Sequence, residues 1–466
     1  MDALAKAVLA GASPDELVRE NVPGEYLAAY LHEDDVRMFG DVPDKDVRRS
    51  LRIGQVPMPE LAPDEALIAV MDSSINYNTV WSAMFEPLPT FDFLRRFGRQ
   101  GGYADRHDRP HHVIGSDGAG VIVRVGPGVR HWRVGAHVVI SPAYVDDQEP
   151  ATHADGMLGA EQRIWGFETN FGGLAHYAVV RVNQLVPMPT HLTWEEAASV
   201  TLCGGTAYRM LVSDRGARIK QGDIVLIWGA TGGLGAYAVQ LVNAGGGIPI
   251  GVVSSEEKAR ALRRLGCDVV INRNDIGLGG QAASPDETIA LGKRLGRRIR
   301  AEVGEDPHVV FDYVGAATFG ISVFVVRKGG VVVTCGSSTG YRHQFDNRYL
   351  WMNLKRIIGS HAANLQEQQE CNRLVQLGKL VPTLSTVYPL EEIGEAARLV
   401  QTNQHTGKVG VLCLAPQTGL GITDPALRAR IGEDRLTPLR APARSARFPS
   451  PTPVVAGLSA NERTRP

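Results

Sequence analysis

The first residues in this chain whose types and spacing could do chemistry lie in IVLIWGATGGLG, residues 224–235. Five aliphatic and aromatic residues run into Gly229, Thr231, Gly232, Gly233, Leu234 and Gly235, and a helical pattern, LGAYAVQLVNAG, follows. Strand, tight turn and helix in that order can bind a dinucleotide. The glycines let the backbone pass close to a pyrophosphate, and the first N–H groups of the helix point at its charge. The same glycines can also serve only to pack a helix on a strand. The next apolar run, IPIGVV at 248–253, ends where such a fold reads the adenosine ribose. An NADH enzyme usually carries Asp or Glu there, whereas this chain has Ser254, Ser255, Glu256, Glu257 and Lys258. Hydroxyls beside a cation suit a 2′-phosphate. NADPH is therefore the expected cofactor, with Glu256 or Glu257 on the ribose as the NADH alternative. Ser254 is also a candidate N-cap of the helix EEKARALRRLG, with Glu257 closing a capping box.

Elements able to position this turn flank it on both sides. DVVINRND at 268–275 reads as a third strand; HVVFDYVG and GGVVVTCGSS read as further parallel strands, with the helix TFGISVFVVRK between them. Upstream, LRIGQVPMPELAPDEALIAVMDSSINYN, HVIGSDGAGVIVRVGPGVRHWRVGAHVVI and GGLAHYAVVRVNQLVPMP alternate apolar and polar residues between Gly and Pro, which predicts short antiparallel strands. TLCGGTAYRMLV at 201–212 is the hinge between the two regions. Helices around 365–378 and 391–404 and a closing strand in HTGKVGVLCL return the chain to the first region. The start, MDALAKAVLAGASPDELVREN, reads as a short amphipathic helix with a capping SPDE. The basic helix LGKRLGRRIRAEVG reads as a solvated face.

Composition excludes several classes. With 49 Lys and Arg against 50 Asp and Glu, the chain has no basic footprint for nucleic acid, and no apolar run reaches the length of a membrane span. The start lacks the layout of a cleaved signal, so a cytoplasmic protein is expected. Cys203, Cys267, Cys335, Cys371 and Cys413 are scattered, without metal-ligand spacing, and read as buried thiols. The divisions expected are a helical extension at 1–50, a β-rich domain at 51–210 and 360–440, a dinucleotide domain at 211–359, and a disordered Pro- and Arg-rich tail at 441–466.

Together these features resemble the medium-chain dehydrogenase/reductase superfamily, α/β proteins with a GroES-like β-rich catalytic domain and a Rossmann domain. Where its zinc alcohol dehydrogenases carry a metal-binding histidine in a GHE motif, this chain has Ser116 and Asp117. No group of four close cysteines follows, so the resemblance is to the zinc-free reductases and no metal is expected. Without a Lewis acid, the substrate must already be polarised, as an enone or enoyl thioester is. Three stretches narrow the family: SSINYNTVWSAMFEP at 73–87, EQRIWGFETNFGGLA at 161–175, and DNRYLWMNLKRIIGSHAAN at 346–364. They are similar to the crotonyl-CoA carboxylase/reductase family, and the likeness covers nearly the whole chain.

That resemblance implies that NADPH reduces a 2-enoyl-CoA and that the enolate attacks CO2, giving an alkylmalonyl-CoA of the kind that supplies polyketide extender units. It assigns Asn78 as an amide donor to CO2 and Phe167 as a shield against water. Glu168 and His361 would hold a water that contacts CO2. Thr206 would lie near the nicotinamide or serve as a helix N-cap, and Lys328, Arg348 and Tyr349 would meet CoA. A homodimer or homotetramer is implied. The alternatives are an NADPH-dependent enoyl-CoA or quinone reductase without carboxylation, and a nucleotide-binding protein without catalysis. Departures from the family are specific. Its GHND is His153-Ala154-Asp155, its VNSTAYR has Gly204-Gly205 before Thr206, its SHFAN has Ala362 for Phe, and its TCAS has Gly336 for Ala. The first two touch residues associated with subunit coupling. The last two remove volume, which predicts an acyl pocket for medium or branched chains.

Overall fold

A computed structural model describes residues 1–280 and 284–440; the tail expected at 441–466 lies outside these. In the dinucleotide half, continuous β-branched runs such as Ile224–Ile227 and Val331–Thr334 are buried almost throughout, the pattern of strands covered on both faces. Six parallel strands lie in the order Val269–Asn272, Ile248–Val253, Ile224–Ile227, Val309–Phe311, Val331–Thr334 and Arg356–Gly359. The glycine turn leaves the third of these, at the point where strand order reverses and such sheets bind ligands. Arg356–Gly359 forms the outer edge, and Trp351, Met352 and Leu354 just before it are exposed.

The other, β-rich half is built on one eleven-residue strand, Glu65–Ile75, buried at every position rather than alternating as expected. Three strands pair along it antiparallel: Ala119–Val125, Tyr177–Arg181 and Lys408–Leu412. Packing on both faces buries even Asp72, Ser73 and Ser74.

The first 50 residues depart from the expected helical extension. Gly11 at φ +72° separates two short helices, Ala3–Leu9 and Pro14–Arg19, and the Ser13–Glu16 capping box starts the second. Glu25–His32 is then a strand, paired with Arg52–Pro57 and His111–Val113.

The halves join through the helix Thr201–Leu211. A Cβ on Gly205 would fall 2.3 Å from Gln368 Oε1, and one on Gly204 would fall 3.2 Å from Cys371 Sγ. The glycine pair thus lets the helix Leu365–Gln376 lie close against the hinge. At the far end of the chain, Arg428 and Arg440 pin the closing segment to the buried Glu195 and Glu196.

Candidate active site

Between the halves lies a cleft of about 710 Å³. Its dinucleotide wall is the glycine turn. Gly229 is at φ +57°, and Cβ atoms on Gly229 and Gly232 would fall 2.7 and 2.6 Å from Tyr313 Oη, which donates to Gly229 O at 2.8 Å. Only glycine fits this cradle. Gly232 is the N-cap of the helix Gly233–Ala244, so free N–H groups open toward the cleft. Thr231, Gly233 and Leu234 line it too, whereas Gly235 packs helix against turn, 2.5 Å from Gly229 O at its Cβ position.

Ser254, Lys258 and Arg273 line the same cleft, and no Asp or Glu does among the described residues. The expected cap is corrected by one position. Ser255, not Ser254, is the N-cap of the helix Glu256–Arg264 and accepts from Lys258 N–H at 3.2 Å. Ser255 is accordingly absent from the lining, and Ser254 is left free to face it. Burial and the neighbouring Arg273 hold the Lys258 ammonium below the usual lysine range. Arg273 Nε is buried without a partner among the described residues. Two cations, a hydroxyl and a rigid glycine cradle fit a phosphorylated dinucleotide.

Asn78, Phe167 and His361 come together on this cleft from three distant parts of the chain, and Thr206 faces it from the hinge helix. Thr206 stands mid-helix, so the N-cap alternative for it is wrong. Asn78 lies in the helix Tyr77–Met84 and bonds Ser116 Oγ at 2.7 Å. Phe167 packs on Phe93, ring centroids 5.9 Å apart. Its loop is held from behind by two buried histidines: His112 Nε2 meets Thr169 O at 3.2 Å, and Asn170 N–H donates to His107 Nδ1 at 3.1 Å. His361 exposes its ring to the cleft space; the protein around it, and then Arg209, hold the imidazole below the usual histidine range.

Glu168 does not line the cleft. Its Oε2 accepts from Ile164 N–H at 2.8 Å, folding the carboxylate back on its own turn, and burial raises its pKa. Lys328, Arg348 and Tyr349 also lie off the cleft. Arg348 pairs with Asp346 at 2.6 Å, and Tyr349 packs edge-on against Phe324.

Sequence reading missed the cluster beneath the site. Asp117 Oδ2 accepts from Ser74 Oγ (2.8 Å), Asn76 Nδ2 (2.7 Å) and Lys408 Nζ (3.0 Å), and Oδ1 accepts from Thr201 Oγ1 (2.7 Å) and Leu202 N–H (2.9 Å). Lys408 also donates to Ile75 O and Asn76 Oδ1. Five donors saturate the carboxylate that stands near the zinc-ligand position of the alcohol dehydrogenases, and no metal-holding group of three His, Cys, Asp or Glu occurs among the described residues. The signals for Lys408 and Arg273 were lone basic residues in HTGKVG and VINRND, which carry no meaning until the fold places them.

Comparison with known proteins gives the kind of domain in each half. Residues 62–190 match the family described as alcohol dehydrogenase GroES-like domain, and residues 233–379 match that described as zinc-binding dehydrogenase. A crotonyl-CoA reductase of Streptomyces collinus is 54% identical over 412 residues, covering 88% of this chain and 92% of its own length. A crotonyl-CoA carboxylase/reductase of Cereibacter sphaeroides is 41% identical over 381 residues, covering 80% and 86%. The solved structure of the 2-octenoyl-CoA carboxylase reductase CinF, in complex with NADP and 2-octenoyl-CoA, has a TM-score of 0.93 at 63% identity, covering 94% of this chain and 99% of that one.

Proposed function

The chain belongs to the crotonyl-CoA carboxylase/reductase family, and from that premise we propose that it reduces a 2-enoyl-CoA with NADPH and carboxylates the enolate with CO2, giving an alkylmalonyl-CoA. The observation that carries this reading is one cleft that holds both the dinucleotide cradle and Asn78, Phe167 and His361. Bound NADPH supplies a hydride to the substrate's β-carbon. Everything else falls to the chain. Ser254, Lys258 and Arg273 hold the 2′-phosphate, and the helix start at Gly232 faces the pyrophosphate. The resulting enolate reacts with CO2 only where water is kept out. Phe167, backed by Phe93, covers that position, and the Asn78 amide orients a CO2 oxygen. A neutral His361 completes the polar side, consistent with its lowered pKa.

The acyl chain is medium or branched. Ala362 and Gly336 both line the cleft, and a Cβ on Gly336 would find its nearest neighbour only at 3.8 Å, so space is open there. Each extra methylene buried contributes about 0.8 kcal/mol. The protein that makes the 0.93 TM-score match carries 2-octenoyl-CoA. The edge strand Arg356–Gly359, with no strand on its outer side among the described residues and beside exposed Trp351 and Leu354, suits pairing with a second copy of this chain. CoA's nucleotide would then meet Lys328, Arg348 and Tyr349 at that interface. A monomer by sedimentation overturns the pairing.

The reaction is tested by NADPH oxidation with crotonyl-CoA and 2-octenoyl-CoA, with and without CO2, and mass spectrometry of the products. A product heavier by CO2, formed faster from octenoyl-CoA, is expected. Saturated acyl-CoA alone, whatever the CO2, would leave a reductase without carboxylation.

A further inference from the structure

We propose that Ser116 is a positioning residue that fixes which end of the Asn78 amide meets CO2, an inference that rests on the carboxylation reading above. As the side chain stands, Asn78 Nδ2 donates to Ser116 Oγ at 2.7 Å, and Asn78 Oδ1 is buried with no partner among the described residues. Two groups go unused in that orientation: the Oδ1 acceptor, and the Ser116 hydroxyl proton, for Oγ makes no other hydrogen bond among the described residues. A half-turn of the amide exchanges its oxygen and nitrogen at nearly the same positions. The Ser116 hydroxyl then donates to Oδ1, and both unused groups find each other. What remains unsatisfied is the amide N–H, the donor that a CO2 oxygen requires. That orientation satisfies the acceptor and the hydroxyl proton together, where the other leaves both unmatched, so the hydroxyl selects the productive orientation.

Ser116 is well placed for this because it cannot move. It is fully buried between Gly115, at φ +112°, and Asp117, whose carboxylate is fixed by five donors. One of those donors is Asn76, two residues before Asn78. The amide and the hydroxyl that orients it are thus mounted on the same carboxylate. Without the hydroxyl, the amide turns either way and presents its carbonyl, which repels the oxygens of CO2.

The test compares Ser116→Ala, Asn78→Ala and the double variant in full-length enzyme with 2-octenoyl-CoA over a CO2 series. Ser116→Ala is expected to raise the KM for CO2 about fivefold, the scale of one neutral hydrogen bond, and to shift product toward saturated acyl-CoA. The Kd for NADPH stays unchanged. In the Asn78→Ala background, removing Ser116 should change the CO2 KM no further. A wild-type product ratio in Ser116→Ala, or a full additional loss in the double variant, overturns the proposal. Should the alanine variant fail to fold, Ser116→Cys keeps the volume with a weak donor, and an unchanged product ratio there is equally adverse. Wild-type enzyme that never carboxylates overturns the reading beneath the proposal, and the proposal with it.

Discussion

Replacing Lys408 by Met removes one charge from the most densely bonded cluster described here and keeps most of the stem. The side chains of Lys408 and Asp117 are 2% and 0% exposed, so the carboxylate left behind has no water to turn to. Breaking a buried pair from one side costs about 3–5 kcal/mol. Ser74, Asn76, Thr201 and the Leu202 N–H still donate to Asp117, which places the loss near the lower end, about 3 kcal/mol, or roughly a hundredfold in the folding equilibrium. Urea unfolding measures it, with the slope unchanged if only the folded state is affected. Lys408→Met combined with Asp117→Asn leaves neither charge, and should recover most of the loss. A single-variant cost under about 1 kcal/mol, or a double variant as poor as the sum of the singles, would refute the assignment of a charge pair.

Arg273→Ala should weaken NADPH about ten- to a hundredfold, the value of a charge-assisted bond to phosphate, and leave NADH unchanged by calorimetry; equal losses for both nucleotides would remove Arg273 from the 2′-phosphate. Burial holds the His112 imidazole down to about 4, against 6.5 for the exposed group. The unfolded chain therefore binds the extra proton first, and His112 by itself should lower stability by about 3 kcal/mol as pH drops from 6.5 to 4. His112→Gln should flatten that limb of the pH–stability curve, and a limb as steep as wild type would show that His112 does not set it.

The glycine turn, its flanking strands and the helices after Asn364 were legible because each rests on local pattern: a β-branched run, a glycine cluster, an apolar period. The Ser254 cap was misplaced by one residue because two adjacent serines satisfy the same rule, and only backbone geometry chooses Ser255. Thr206 looked like a cap because Thr is common there, yet the hinge helix begins five residues earlier. The strand Glu25–His32 was hidden because its partners lie far along the chain, at Arg52–Pro57 and His111–Val113. The Lys408–Asp117 pair spans 291 residues, and no periodicity announces such a contact. Asn78, Phe167 and His361 were named from family motifs; that they share a cleft is a property of the fold.

One tie between the halves involves no side chain. Gly407 N–H donates to Thr231 O at 2.6 Å, joining the strand that carries Lys408 to the cofactor turn. A bond between main-chain atoms survives replacement of the side chains around it. On the proposed reaction, cleft residues such as Ala362 and Gly336 can therefore change while the cofactor turn stays tied to the strand that carries Lys408. Substrate range and reaction geometry become separately heritable traits, and a lineage can change the acyl group it accepts without relearning the chemistry performed on it.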